Sequence, residues 1–78
     1  FPQAALTIPV SSKKDLAQEP YAHLIASYEK QLTQGRLVVR YSGTEPLLRI
    51  MAEAPTYETA ISIATNLSNA LTQALTQE

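Results

Sequence analysis

Within ten residues, Arg40-Tyr41-Ser42-Gly43-Thr44-Glu45-Pro46-Leu47-Leu48-Arg49, the chain gathers two guanidiniums, two aliphatic hydroxyls and a glycine. That mixture suits an anion. A short Gly-containing loop exposes several backbone N–H groups in a small space, and such concavities bind anions. Ser42 and Thr44 add hydroxyl donors. Arg40 and Arg49 add planar forks that match phosphate oxygens. The run lies between two apolar stretches, residues 37–39 and 47–51, that read as strands. Together these features predict a phosphate-binding hairpin.

Each residue also has a plainer reading. Gly43 could serve only as a turn residue needing positive φ. Ser42 and Thr44 could cap their own turn. Arg40 and Arg49 could form weak surface ion pairs with Glu45 or Glu53. The hairpin register decides how the arginines relate. If they lie opposite one another, two like charges face each other about 5 Å apart, which is unfavourable unless an anion lies between them. A one-residue slip sends them to opposite faces and leaves Arg40 as the ligand. Glu45 opposes an anion unless it points away or orients an Arg. Pro46 biases Glu45 towards an extended conformation and stiffens the loop.

The flanking pattern supplies elements to hold this loop. Residues 4–10 read as a strand with Leu6, Ile8 and Val10 on one face. Pro9 assigns that strand to an edge or a bulge. Residues 11–19 read as a polar loop, with Lys13 and Lys14 solvated or lining a seam between domains. Tyr21, Leu24, Ile25, Tyr28 and Leu32 recur at helical spacing and predict a helix over residues 20–32. Pro20 suits its first turn, and Gly35 lies where a helix stop is expected. His23 lies off that stripe and reads as solvent-facing or half-buried rather than as a catalytic base, and the two helix tyrosines read as core. Arg36–Tyr41 is a strand with β-branched residues at its centre. Residues 47–54 return from the loop, with Met51 as core filler. Thr56 can cap a final helix, with Glu58 in its first turn. Ala60, Ala64, Leu67, Leu71 and Ala74 form the apolar stripe of that helix, residues 57–76. The order is strand, helix, strand, strand, helix. Two amphipathic helices need one shared apolar surface, so the expected fold is a two-layer α+β domain.

Composition narrows the function classes. Seventy-eight residues make one small domain. There is no Cys, so neither a disulfide nor a thiolate metal site is available. The single His and the scattered carboxylates show no metal-ligand spacing. A net charge of −1 argues against a nucleic-acid binder, which would show a basic face. No apolar stretch is long enough to span a membrane, and no signal-peptide pattern opens the chain.

The ten-residue run closely resembles the phosphate-binding loop of the α-D-phosphohexomutases. The pattern Arg-x-Ser-Gly-Thr-Glu-Pro, then apolar residues and an Arg, is most similar to the phosphoglucosamine mutase branch. The opening Phe1-Pro2-Gln3 also resembles the start of that family's C-terminal domain. The resemblance covers essentially the whole chain. It implies a TATA-binding-protein-like fold, with a small, mainly antiparallel sheet and two helices on one face. It implies that residues 1–78 are the last of four domains of a cytoplasmic enzyme, a reading that fits the non-Met start. In such an enzyme a phosphoserine on another domain donates phosphate to the sugar. A bisphosphate intermediate then reorients and phosphate returns from the other position. Mg²⁺ serves the phosphoserine site, outside this chain, and no catalytic or metal residue is expected here. The implied task of this domain is to hold the non-reacting phosphate with Arg40, Ser42, Gly43, Thr44 and Arg49. Glu45 would orient an Arg or meet the amino group of glucosamine. The expected partners are the phosphosugar and the other domains of the same enzyme, and the fragment alone is expected to be inactive. The alternatives are a phosphomannomutase or phosphoglucomutase domain, a stand-alone anion-binding module, and a purely structural interaction domain whose hairpin is only a turn.

Overall fold

In the computed structural model, residues 1–76 are described. The chain forms β1 (Gln3–Pro9), α1 (Tyr21–Glu29), β2 (Arg36–Tyr41), β3 (Leu47–Glu53) and α2 (Tyr57–Thr76). The expected element order is therefore observed. The sheet order is β1-β3-β2, with both pairings antiparallel. Pro9 ends an edge strand, where its missing N–H costs no ladder bond.

Alternation divides the sheet residues into two sets. Ala4, Leu6 and Ile8 of β1 share rows with Ala52, Ile50 and Leu48 of β3, and these with Leu37, Val39 and Tyr41 of β2. This set meets the helices: Leu48, Ile50 and Ala52 are wholly buried, and the β1 and β2 members join the same core. The helix side is supplied by Ala60, Ile63, Ala64, Leu67 and Leu71 of α2 and by Tyr21 of α1. The other sheet face carries Thr7, Val38, Arg40, Arg49 and Met51 and has no helix over it. The expectation of Met51 as core filler is thus corrected. Its position in β3 is odd relative to Ile50, so the pleat points it away from the helices.

Helix α2 occupies the predicted span. Thr56 caps it, its Oγ1 accepting the Thr59 N–H at 3.2 Å, and Glu58 lies in the first turn. Helix α1 is shorter than its periodicity predicts and stops at Glu29. Beyond it the chain tightens into i→i−3 bonds: Gln31 N–H reaches Tyr28 C=O, and Leu32 N–H reaches Glu29 C=O, both at 3.1 Å. Leu32 still packs against the core from that turn. Gly35 is no helix stop. It adopts φ +114° at the entry to β2, where a Cβ would lie 1.9 Å from the Glu53 carbonyl oxygen.

Candidate functional site

The register answers the question that the sequence left open. Arg40 lies directly opposite Arg49, and Thr7 completes the row on the far side of β3. Opposed Cα atoms in an antiparallel pair are about 4.5–5.5 Å apart. Both guanidiniums therefore leave the same open face as neighbours. Their repulsion in a watery setting is on the order of 1 kcal/mol.

Among the described residues no carboxylate offsets that repulsion. Glu53, the carboxylate on the same face, lies two rows away, between its edge-strand partners. Arg36 approaches it at 3.7 Å, and Gln3 donates to it at 2.9 Å. Among the described residues neither Arg40 nor Arg49 has an ion-pair partner. Glu45 is exposed and holds neither arginine. The plainer reading of the arginines as surface ion pairs thus finds no partner acid among the described residues.

The loop between β2 and β3 opens beside this pair. Ser42 N–H donates to Leu47 C=O at 2.9 Å and closes the neck of the loop. The Ser42 side chain is buried, 8% exposed. Its Oγ accepts the Glu45 N–H at 3.4 Å, a long and weak bond. Ser42 therefore turns inward and steadies the loop, while its hydroxyl proton has no acceptor among the described residues. Gly43 and Thr44 form the exposed tip, and neither backbone N–H has an acceptor among the described residues. One open concavity is lined by Arg40, Tyr41, Ser42, Gly43, Thr44 and Arg49. A second hollow, which shares Arg40 and Arg49 in its lining, lies over the bare sheet face with Thr7, Val38, Met51 and Arg36.

Gly43 differs sharply from Gly35. Its φ is not positive, and a Cβ built on it would meet nothing within 4 Å. The chain's own fold gives no reason for glycine here. Bare backbone at an exposed tip leaves room for something outside the chain to approach the amides.

Sequence reasoning missed one contributor. Lys13, read as solvated or as lining an interdomain seam, folds back onto the loop. Its Nζ donates to the Ser42 carbonyl at 2.7 Å. The neighbouring residue is tied down too, because the Tyr41 hydroxyl donates to the Lys14 carbonyl at 2.7 Å. Burial, with the nearby Tyr21, pushes the Tyr41 phenol above its usual 10.0, so the donor form persists into alkaline solution. The segment after β1 starts close to the hairpin, since Val10 N–H bonds Pro46 C=O at 2.9 Å. The signal available in the sequence was only a basic pair in a polar stretch, 29 residues from its partner.

Taken together, the arrangement offers a dianion two guanidiniums and two free amides in one open hollow. Among the described residues no group of three His, Cys, Asp or Glu could hold a metal, and no helix is long and apolar enough to cross a membrane. This geometry fits the positioning of an oxyanion.

Comparison with known proteins adds an independent line. Residues 7–70 match the family described as phosphoglucomutase/phosphomannomutase, C-terminal domain. The phosphoglucosamine mutase of Levilactobacillus brevis is 49% identical over 61 residues, covering 76% of this chain and 14% of that protein. That of Leuconostoc mesenteroides is 41% identical over 71 residues, covering 88% of this chain and 16% of that protein. The chain thus spans only 14% and 16% of these curated relatives. A crystal structure of Aspergillus fumigatus N-acetylphosphoglucosamine mutase, in complex with GlcNAc-6P and magnesium, superposes with a TM-score of 0.78 at 27% identity. The match covers 96% of this chain and 16% of that one.

Proposed function

The chain belongs to the phosphoglucomutase/phosphomannomutase C-terminal domain family, and from that membership we propose that it is the phosphate-holding last domain of a four-domain phosphoglucosamine mutase. Its task is to hold the non-reacting phosphate of the sugar. The whole enzyme interconverts glucosamine-6-phosphate and glucosamine-1-phosphate through a phosphoserine and a bisphosphate, in the cytoplasm. Phosphoglucosamine mutase is favoured over the mannose and glucose enzymes by the names of the curated relatives that this chain matches.

The observation that carries the reading is the facing of Arg40 and Arg49 with no acid between them, beside two unpaired amides. Two cations held side by side are costly until an anion bridges them. A phosphate seated there would receive a planar fork from each arginine and N–H donors from Gly43 and Thr44. Thr44 Oγ1 and the remaining proton of Ser42 complete the donor set. Glu45 stands at the rim, where it would meet a substrate amino group or steady an arginine.

Among the described residues no group of His, Cys, Asp or Glu fits a metal, and in this proposal magnesium and the phosphoryl transfer belong to other domains of the enzyme. It contributes geometry. Contacts remote from the reacting atoms fix the orientation of the sugar. The same grip serves both half-reactions, because the phosphate held here is the one not being transferred.

The test is a titration followed by the amide resonances of the chain. Inorganic phosphate and glucosamine-6-phosphate should each shift Gly43 and Thr44, with a Kd of about 1 mM or weaker for inorganic phosphate. Arg40→Ala should weaken binding by about tenfold or more, and in the whole enzyme it should lower kcat/KM. Unmoved loop amides at saturating phosphosugar, with the rest of the spectrum folded, would reduce the hairpin to a turn.

A further inference from the structure

Lys13 is a basic side chain that touches the loop from outside the hairpin. Its ammonium meets the loop on a carbonyl, not in the hollow where the arginines converge. That carbonyl belongs to the peptide joining Ser42 to Gly43, and the peptide is trans. In a planar trans peptide the C=O and the N–H point in opposite directions. A donor fixed on the Ser42 oxygen therefore fixes where the Gly43 N–H points, on the far side of the same plane. A positive charge on the carbonyl also draws electron density from the amide and strengthens the N–H as a donor. The contact is charge-assisted and short, 2.7 Å.

The strap that carries Lys13 is pinned on both sides. Val10 N–H bonds the Pro46 carbonyl before it, and the Tyr41 hydroxyl bonds the Lys14 carbonyl after it. The ammonium is thus delivered to one carbonyl by a segment that is itself bound to the hairpin. Gly43, lacking a side chain and with open space around its Cα, would otherwise be the residue of the loop freest to rotate its flanking peptide.

We infer that Lys13 is a positioning residue of the anion site, which locks the Ser42–Gly43 peptide plane and aims and polarises the Gly43 N–H at the bound phosphate. The inference rests on the phosphate reading above and deepens it. It also makes the segment after β1 part of the site.

The test compares Lys13→Met, Lys13→Arg and, as a control for charge alone, Lys30→Met at the end of α1. Each is followed by amide spectra with inorganic phosphate and with glucosamine-6-phosphate at constant ionic strength. Lys13→Met should weaken phosphate binding about three- to tenfold. In the ligand-free chain it should move the Gly43 amide proton upfield while distant amides stay in place. Lys13→Arg keeps a cationic donor and should recover most of the affinity, and Lys30→Met should change it less than about twofold. Equal losses for Lys13→Met and Lys30→Met would reduce the effect to net charge and overturn the inference. So would an unaltered affinity in Lys13→Met, with the phosphate reading left standing. No phosphate response in the unsubstituted chain would remove that reading and the role of Lys13 with it.

Discussion

Glycine at position 43 separates what the fold requires from what a ligand requires. The residue needs neither positive φ nor a close approach by the chain's own atoms. Gly43→Ala should therefore stabilise the free domain by about 0.4–1 kcal/mol, through the lowered entropy of the unfolded chain. It should also weaken phosphate binding, because the new methyl occupies the approach to the amides. Urea unfolding and phosphate titration of one variant check both signs. A variant that is more stable and binds phosphate as well as before would detach Gly43 from the site. Arg40, Ser42, Gly43, Thr44 and Arg49 were all legible in the sequence as one cluster, since they lie within ten residues. Lys13 was not, because its partner is a carbonyl, and backbone groups carry no sequence signature. Nor was the inward turn of Ser42, which depends on the Leu47 carbonyl closing the loop neck.

At the level of elements, α2 was the most legible, because Ala60, Ala64, Leu67 and Leu71 all face the sheet at helical spacing and Thr56 caps the start. Periodicity reported burial faithfully and conformation less so. Leu32 belongs to the core but to a turn, which is why α1 ends three residues earlier than its apolar stripe. In the same way, Met51 is apolar yet lies on the open sheet face, where a neighbouring row carries the two arginines. Residue type alone cannot choose a face; the pleat does. One member of α2 breaks the pattern. Ser68 is buried at 6% exposure, and its Oγ has no hydrogen-bond partner. A buried hydroxyl left unpaired costs free energy, and alanine is the better helix former. Ser68→Ala should therefore raise stability by about 1 kcal/mol, read as a higher urea midpoint with an unchanged slope. A lower midpoint would mean that the hydroxyl is satisfied in solution.

As a whole molecule, the domain is a one-sided sheet. Its helices cover the face built from Leu48, Ile50 and Ala52, and the opposite face presents Arg40 and Arg49 beside Thr7, Val38 and Met51. A chain spanning 14% of a phosphoglucosamine mutase relative, with a site proposed only to hold a phosphate, should not turn over substrate alone. Incubated with glucosamine-6-phosphate, the pure chain should yield no glucosamine-1-phosphate by phosphorus NMR, and sustained conversion would assign it chemistry that its residues do not offer. The opposed guanidiniums have a thermodynamic corollary. Because an occupant relieves a repulsion built into the native hairpin and absent from the unfolded chain, occupancy is linked to melting. About a hundredfold excess of anion over its dissociation constant adds roughly 2.7 kcal/mol, which raises the melting temperature of a domain of this size by about 10–20 °C. The protein's own heat resistance is thus a gauge of which anions it accepts, readable without any assay of catalysis.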